Sequence, residues 1–462
     1  MNPFGRPPIR AGVVVLLAAC GLSLSGCGSS GDGVEAGQGS GPVQFAESGW
    51  VGSWSTAPYG PYPLGPLDAV YAVLPLPEVL RGFTTPTAFP DLQAVDQSFR
   101  MIVHPTLGGE QLRLRFSNLV GDRPVTLEPV RVAIRALAAA IIPGTNTPVL
   151  FDGESTITMM PGEEYVSDPV DLVFAEGDDL VVSFHLPGES GPLTWHAMSF
   201  DTQFLTPQGA GDVTDSETGA EFSEITLGWF FLSGVDVQRS DALGAVVALG
   251  DSITDGMMQT PGTNTRWPDL FANRLQAAGI PMGVLNLGIN GNTVFARPEQ
   301  TYRGAPAIER FNRDVLERAG ARSLVLFEGS NDLATGATAE EIHGHLMALV
   351  ERAHAAGLCV VLGTIMPRDD LVFGWDRASM EPERQALNEM IRADFAAGLF
   401  EGLADFAAVM GAPFDATRPN PALYFADLLH PNSIGFHVLA DTVPIEPLVP
   451  PPYGSCSNER QI

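Results

Sequence analysis

The second half of the chain contains four short apolar runs, rich in Val and Leu and each too short for an ordinary helix: residues 245–249, 284–287, 324–327 and 358–362. Segments with helical periodicity lie between them. The clearest has Thr338 and Glu341 at the spacing of a capping box and ends at Gly357. Buried strands that alternate with helices form a parallel sheet covered on both faces. The sequence therefore predicts an α/β domain over residues 242–443.

Residues 48–238 show a different pattern, with short strands separated by turn residues. Polar and apolar residues alternate from Gln111 to Phe116, as in a half-buried strand, and β-rich runs follow at residues 170–174 and 180–184. Short strands at this spacing are typical of a β-sandwich or jelly-roll-like domain, which we predict here. A chain of 462 residues is long enough for two such domains.

Two sets of side chains in this strand-rich region have both a binding interpretation and a structural one. The aromatic residues near its start are Trp50, Trp54, Tyr59 and Tyr62, and the histidines are His104, His185 and His196. The aromatic rings could stack on a sugar, but aromatic residues at a domain edge more often pack against a neighbouring domain. The histidines lack metal-ligand spacing, so we interpret them as core or surface residues.

The chain is strongly acidic. Its formal net charge is −29, and all 25 basic residues are arginines. Such a surface opposes binding to nucleic acid or anionic membranes and slows the encounter with anionic substrates. We therefore expect no nucleic-acid partner. An acidic composition is also a common solubility trait of a source organism, so it indicates what the protein avoids rather than what it does.

Residues 1–27 resemble a bacterial lipoprotein signal peptide, with a charged start and a short apolar core at residues 11–19. The expected processing site ends in Cys27, which would carry the lipid. Cys20 fits the pattern almost as well, but the Gly/Ser-rich linker at residues 28–47 begins directly after Cys27. An ordinary secretory signal is the alternative. The protein is thus predicted to be exported, as a cell-envelope lipoprotein or a secreted bacterial protein, with membrane contact only through such an anchor.

The other two cysteines give less information. Cys359 lies in an apolar run, where a buried small hydrophobic residue is the simplest interpretation, and Cys456 lies in the Pro-rich segment 444–462, which reads as an extended tail. A bridge between them stays open. No C-x-x-C pair is present, so zinc-ribbon and thioredoxin-like sites have no support.

The heptapeptide 250–256, Gly-Asp-Ser-Ile-Thr-Asp-Gly, follows the first apolar run of the α/β region. Its glycines allow a sharp turn at the end of the strand, which places the hydroxyl of Ser252 at the tip. A serine in this position can be a nucleophile if a base and oxyanion donors lie beside it, or it can simply cap a helix. We expect Asp251 and Asp255 to hold the turn through backbone hydrogen bonds.

Polar loops also follow the next two strands, at residues 288–291 and 329–332. Because ligands bind at the carboxyl ends of parallel strands, these loops and Ser252 are predicted to converge on one edge of the sheet. The side-chain amide of Asn331 would then point at a developing oxyanion, beside the backbone N–H groups of Ser252 and Gly291.

Asp427 and His430 supply the remaining groups. An Asp three residues before a His on one loop can place its carboxylate on the imidazole Nδ1. This contact fixes the tautomer and leaves Nε2 free to take the proton of a serine. The three side chains would have to meet in space in the chain order Ser, Asp, His.

Residues from about Gly244 to Asp441 resemble the SGNH (GDSL-motif) hydrolase family. The resemblance lies in four blocks: Gly250-Asp251-Ser252, Gly291, Gly329-x-Asn331-Asp332 and Asp427-x-x-His430. It implies a flavodoxin-like parallel-sheet domain and a triad of Ser252, Asp427 and His430. It also implies an oxyanion hole formed by Ser252, Gly291 and Asn331, and no metal or organic cofactor. Gly288 is the alternative to Gly291 in the second block.

The strand-rich region resembles the segment that precedes the catalytic part in a bacterial xylan-esterase-like branch of this family. Residues 51–58 and 229–236 carry this similarity. The resemblance implies an exported serine esterase that removes short acyl groups from a small-molecule or polysaccharide ester, such as acetylated xylan. The alternatives are a lipase, thioesterase or acyltransferase with the same site, and a non-catalytic surface carbohydrate-binding protein.

Overall fold

The computed structural model describes residues 49–62, 89, 91–197, 199–295, 304–370 and 375–457. The predicted signal peptide with Cys20 and Cys27, the linker at residues 28–47 and the last five residues of the tail lie outside the described residues. None of the described helices has the length and hydropathy needed to cross a membrane.

The first region is built from antiparallel strands, as predicted. Its strands are β1 (Trp50–Ser55), β2 (Val95–Val103), β3 (Gly109–Ser117), β4 (Val125–Leu127), β5 (Val130–Leu137), β6 (Ala140–Ile141), β7 (Thr147–Val149), β8 (Ile157–Met159), β9 (Glu164–Val166), β10 (Val170–Phe174), β11 (Leu180–Glu189), β12 (Trp195–His196), β13 (Gln203–Leu205), β14 (Glu224–Thr226), β15 (Trp229–Phe230) and β16 (Leu232–Gln238). One large sheet has the order β1-β16-β3-β10, and the other has the order β14-β13-β2-β11-β5-β6.

The two large sheets share a core. Along β10 the apolar side chains of Val170, Leu172 and Phe174 are buried while the residues between them are exposed, because successive side chains of a strand point to opposite faces. Across the core, Phe116 of β3 meets Phe184 of β11 edge to face at 5.6 Å. The predicted strand-rich region is therefore confirmed, although its connectivity is not specifically that of a jelly roll.

The aromatic residues near the start of this region pack inside it. Trp54, Tyr59 and Tyr62 are all less than a tenth exposed. Trp54 lies edge-on against Trp229 at 5.0 Å, and Tyr62 lies against Trp195 at 4.6 Å. These three rings are too buried to stack on a sugar, so the packing interpretation holds for them. Trp50 is half-buried, with the Arg113 guanidinium 4.8 Å from its ring centroid.

The second region is an α/β fold. Its strands are β17 (Ala245–Gly250), β18 (Gly283–Gly288), β19 (Ala321–Phe327), β20 (Cys359–Gly363), β21 (Gly402–Ala404), β22 (Gly411–Ala412) and β23 (Asp415–Pro419). Its helices are α1 (Ser252–Asp255), α2 (Trp267–Ala277), α3 (Ala307–Phe311), α4 (Ser330–Ala334), α5 (Ala339–Ala355), α6 (Arg377–Ala396), α7 (Phe406–Met410) and α8 (Ser433–Thr442), with a π-helical turn at Asn312–Leu316 and a 3-10 turn at Glu446–Leu448.

The five central strands of this region form one parallel sheet in the order β18-β17-β19-β20-β21. Numbered along the chain, this order is 2-1-3-4-5, the flavodoxin-like order. Helix α5 shows why the local sequence folds as predicted. The Thr338 hydroxyl accepts from the Glu341 N–H, and the Glu341 carboxylate accepts from the Thr338 N–H at 3.0 Å. Its buried face consists of Ile342, Leu346, Leu349 and Ala353 among others, at helical spacing.

The two regions belong to one compact unit and share a core. The Thr106 hydroxyl of the strand-rich region donates to Ser53 O at 2.6 Å and accepts from the Val284 N–H of β18 at 2.9 Å. Gly52 of β1 donates to Ala319 O at 2.8 Å. The backbones of β1 and β18 lie so close that a Cβ on Gly283 would be 2.0 Å from Gly52 O.

The described part of the tail is folded onto the sheet rather than extended. Cys456 forms a disulfide with Cys359 of β20, with Cα atoms 5.8 Å apart. Leu448 and Val449 are fully buried. The pairing left open by the sequence is thus present, and Cys359 is not a free thiol.

The close approach of β1 and β18 can be tested by substitution. We expect Gly283→Ala to lower the free energy of unfolding by about 1–3 kcal/mol, because the methyl group would push two backbones apart. Gly344→Ala is a matched control: this glycine is exposed on α5 with open space around it, and alanine should stabilise the helix by about 0.5–1 kcal/mol. Urea unfolding of both variants measures the difference. Equal stability of Gly283→Ala and the unmodified protein would contradict the packing.

Candidate active site

Ser252 lies at the sharp turn between β17 and α1. Asp251 caps the short helix, and its Oδ1 accepts from the Ile253 N–H at 2.9 Å. The turn needs glycine at position 250, because a Cβ there would be 2.2 Å from Thr254 Oγ1 and 2.5 Å from Phe327 O. Ser252 itself is 5% exposed. The expectation that Asp251 holds this turn through a backbone hydrogen bond agrees with the structure.

Ser252, His430 and Asp427 form one hydrogen-bonded line. The Ser252 Oγ lies 2.9 Å from His430 Nε2, and His430 Nδ1 lies 2.6 Å from Asp427 Oδ2. All three side chains are less than a tenth exposed. Since a carboxylate can only accept, His430 donates through Nδ1, and Nε2 is left to accept the hydroxyl hydrogen of Ser252. The three residues that the sequence singled out are therefore brought together in the geometry of a serine nucleophile and its base.

The loop that carries Asp427 and His430 is held locally. Asp427 Oδ1 accepts from the backbone N–H groups of Leu429 and His430, at 3.1 and 3.0 Å. Leu428 has a φ of 55°, which lets the chain turn tightly between the two polar residues. The Phe425 N–H donates to His430 O at 2.8 Å and closes the loop.

Charge stabilises the ionised form of Asp427. Burial by itself would raise the pKa of this carboxyl, but the nearby His430 and the hydrogen bonds from His430 and Leu429 outweigh it, so that the pKa lies below its ordinary value. Asp427 therefore remains an acceptor across the neutral pH range and keeps the His430 ring in one orientation.

Asn331, in the first turn of α4, and Gly291, in the loop after β18, follow the two strands that flank β17. Asn331 Nδ2 donates to Asn292 O at 2.9 Å and lies 3.4 Å from Asp251 Oδ2. The amide group therefore faces both the loop after β18, residues 289–295, which we call the glycine loop, and the turn that carries Ser252. The N–H of Gly288, the alternative donor, already bonds to Asn286 Oδ1 at 3.0 Å. The structure thus gives the Gly288 N–H a side-chain acceptor, and Gly291 keeps its place as the predicted donor of this loop.

Asp332, next to Asn331, holds the far end of the glycine loop. Its two carboxylate oxygens accept from the Val294 N–H at 3.1 and 3.0 Å. Burial raises the pKa of Asp332 to about 7, against the lowering effect of the hydrogen bonds from Val294 and Phe295. Burial also raises the pKa of Asp251 to about 6. Two carboxyl groups at the site thus titrate closer to neutrality than ordinary aspartates do.

Sequence reasoning missed Glu328, which lies directly before the asparagine block. Its side chain is fully buried, and neither carboxylate oxygen has a hydrogen-bond partner among the described residues. The nearest cation is Arg310, whose Nη2 lies 3.9 Å from Oε2. Burial raises the pKa of Glu328 well above its ordinary range, and the nearby Asp251 raises it further. The sequence signal that could have identified Glu328 is a carboxyl residue directly after an apolar strand.

Sequence reasoning also missed the partner of Asp255. This carboxylate bonds to His196 of the strand-rich region, with 2.9 Å between Oδ1 and Nε2, and its Oδ2 accepts from the Asn290 N–H at 3.1 Å. The expected backbone contact of Asp255 is present, but the histidine 59 positions away was interpreted only as a core or surface residue. No local sequence pattern links the two.

The site offers no evident place for a metal ion. Within the described part of the chain, no group of three or more His, Cys, Asp or Glu side chains is arranged to hold one. On α5, His343 Nε2 lies 2.5 Å from Asp394 Oδ2.

Residues 248–438 match the model of the GDSL-like lipase/acylhydrolase family. No curated protein matches the chain. Similar solved structures include a lipase/acylhydrolase from Enterococcus faecalis (22% identity, TM-score 0.34), a member of the lipolytic G-D-S-L family from Veillonella parvula (21%, 0.32) and a psychrotrophic esterase from Pseudoalteromonas (18%, 0.32). Each similarity covers 43% of this chain, and 92%, 94% and 93% of the other chain respectively.

The buried carboxyl of Glu328 makes a prediction about stability. Because its pKa is raised in the folded state, the folded protein retains a proton that the unfolded chain loses, and the stability that this group contributes falls as the pH rises above the ordinary range. Glu328→Gln removes this dependence. We expect the variant to match the unmodified protein near pH 4 and to exceed it at pH 8 by about 1–3 kcal/mol.

Unfolding by urea at the two pH values tests this expectation. Glu351→Gln, on the exposed side of α5, is the matched control and should have no such effect. A Glu328→Gln variant that is less stable than the unmodified protein at pH 8 would show instead that Arg310 and Glu328 form a net stabilising ion pair.

Proposed function

We propose that this protein is a serine esterase that hydrolyses short-chain carboxylic esters through an acyl-enzyme, since residues 248–438 match the model of the GDSL-like lipase/acylhydrolase family. The observation that carries the proposal is the hydrogen-bonded line from Ser252 Oγ through His430 to Asp427. It supplies a nucleophile, a base and a group that orients the base.

In the proposed reaction His430 Nε2 takes the hydroxyl proton of Ser252 while Oγ attacks the ester carbonyl. The imidazolium that forms is stabilised by the carboxylate of Asp427, and it then donates its proton to the leaving alcohol. A water molecule then gives a proton to the same Nε2 and attacks the acyl carbon. The bond from the acyl carbon to Ser252 Oγ breaks, Oγ takes the proton back from Nε2, and the acid is released. No proton has to move to Asp427 in either half of the reaction.

The oxyanion of each tetrahedral intermediate would be bound by the Asn331 amide and by the backbone N–H groups of Ser252 and Gly291. Asn331 has two amide hydrogens, and the bond to Asn292 O occupies one of them. The second is directed at Asp251 Oδ2 over 3.4 Å, a long contact that is easily given up. An oxyanion beside Ser252 would be the stronger acceptor.

A short acyl group fits the described surroundings of the serine. The apolar side chains closest in sequence, Ile253 and Met257, are 2% and 1% exposed and belong to the core. Phe295 stacks on His345 with ring centroids 4.5 Å apart. Met258 and Phe295 are half-buried, so the accessible apolar surface close to Ser252 in sequence comes from these two side chains. We propose acetyl esters, including those of a polysaccharide such as xylan, as substrates of an exported enzyme.

Hydrolysis of p-nitrophenyl acetate, butyrate, octanoate and palmitate, together with acetic acid release from acetylated xylan, tests the proposed function. We expect acetate to be the fastest substrate and Ser252→Ala to lower kcat by roughly 10³-fold or more. Ser240→Ala, an exposed serine between the two regions, is the matched control and should keep full activity.

A preference for octanoate or palmitate would replace the esterase proposal with a lipase. Transfer of the acyl group to an added alcohol or thiol in place of water would indicate an acyltransferase. If Ser252→Ala retained full activity, the catalytic assignment would be wrong. Binding of insoluble xylan without hydrolysis of any ester would favour a carbohydrate-binding protein.

Asn331→Ala tests the oxyanion contact separately from the nucleophile. We expect kcat to fall by roughly 10²-fold, with a much smaller change in KM, because the amide bond to the oxyanion forms only in the transition state. Steady-state kinetics on p-nitrophenyl acetate measure both constants, and the thermal midpoint reports any loss of folding. A rise in KM at constant kcat would place Asn331 in substrate binding instead.

A further inference from the structure

A buried histidine of the strand-rich region contacts the active-site turn. His196 lies in β12 and is 2% exposed, and Asp255 at the end of α1 is 3% exposed. Nε2 of His196 and Oδ1 of Asp255 are 2.9 Å apart. His196 thus lies outside residues 248–438 and contacts the heptapeptide 250–256 directly.

Asp255 connects this histidine to the glycine loop. Its second oxygen, Oδ2, accepts from the N–H of Asn290, the residue before Gly291. The Asp255 main-chain N–H donates to Asp251 O, and its main-chain O accepts from Arg266 Nε at 2.9 Å. The backbone of Asp255 is therefore fixed, and the direction of its carboxylate depends on the contact with His196.

The ring of His196 has polar contacts at both nitrogens and packs against two aromatic rings. Nδ1 lies 2.9 Å from Ala57 O, a group that can only accept. Both ring nitrogens therefore face oxygen atoms. Tyr59 packs edge-on against the ring at 5.3 Å, and Trp229 lies 5.7 Å away on a tilted plane.

We propose that His196 is a positioning residue for the oxyanion hole. It holds the Asp255 carboxylate in the one orientation that fixes the Asn290 N–H, and this fixes the backbone of Gly291 relative to Ser252. This inference rests on the proposed ester hydrolysis and assigns to the strand-rich region a part in it. His196 touches no reacting atom, so its effect reaches the reaction only through Asp255.

Three substitutions at this position separate the two contacts of the ring. Glutamine places an amide nitrogen where Nε2 lies and can still donate to Asp255. Asparagine places one where Nδ1 lies and can donate only to Ala57 O. Leucine removes both donors. We expect His196→Asn and His196→Leu to lower kcat by roughly 10- to 100-fold with KM nearly unchanged, since a displacement of about 1 Å in a catalytic group has effects of this size. His196→Gln should recover most of the rate.

His185 provides a matched control. It is also a buried histidine of the strand-rich region, with Nδ1 2.9 Å from Glu128 O and Nε2 2.9 Å from Asp96 Oδ1. Its partners lie outside residues 248–438. His185→Leu should lower the thermal midpoint without changing kcat. Equal losses of kcat in the two leucine variants would mean that His196 acts only through general stability, and would overturn the proposal.

A second measurement does not depend on ester hydrolysis. Hydrogen–deuterium exchange of the peptide spanning residues 286–295 should be faster in His196→Asn and His196→Leu and close to that of the unmodified protein in His196→Gln and His185→Leu. If the unmodified protein hydrolyses no ester, the proposed function fails while this comparison still decides the role of His196. Unchanged exchange in His196→Asn and His196→Leu would overturn the proposal, whatever the activity of the unmodified protein.

Discussion

The parallel register of three strands places the candidate active-site groups at one edge of the sheet. Gly250 at the end of β17 lies opposite Gly288 of β18 on one side and Phe327 of β19 on the other. The chain therefore leaves all three strands at the same level of the sheet. The loops that carry Ser252, Gly291 and Asn331 begin at one edge, and only the loop of Asp427 and His430 has to be brought there by later parts of the chain.

Arg310 forms hydrogen bonds with the strand ends at this edge of the sheet. Its guanidinium donates to Leu287 O at 2.6 Å, to Gly250 O at 3.1 Å and to Asn292 Oδ1 at 3.0 Å. Asp314 pairs with it at 3.1 Å. A buried guanidinium with this many acceptors joins two strand ends to the glycine loop, and its rigid fork is suited to such a task. Glu328 and Asp332 lie in the same dry surroundings, which is why burial dominates the pKa of each.

The strand-rich region is a structural part of the α/β region and not merely a neighbour. Its strand β1 lies against β18, with backbone groups in contact at Gly52 and Gly283.

The acidic composition of the chain is partly explained by ion pairs inside the protein. Among the described side chains, many carboxylates are buried with arginine partners, such as Asp236 with Arg113 and Arg115. Part of the carboxylate content of this protein is therefore used for internal pairing with arginine.

The sequence by itself determined the features that depend on short spacing. The period of the apolar runs predicted the parallel sheet, and the three-residue step from Asp427 to His430 predicted a carboxylate on Nδ1, because one tight loop contains both groups. The Gly-Asp-Ser turn after a buried strand identified Ser252 for the same reason.

Only the tertiary structure decided the contacts between distant segments. The contact of the Arg310 guanidinium with Gly250 O and Leu287 O joins two strand ends to a helix 60 and 23 residues away in the chain. The bridge of Cys359 and Cys456 joins residues 97 positions apart, and the pair of His196 and Asp255 joins two regions that the sequence predicted as separate domains. Such contacts are set by how the sheets pack against each other, and periodicity and spacing carry no information about that packing.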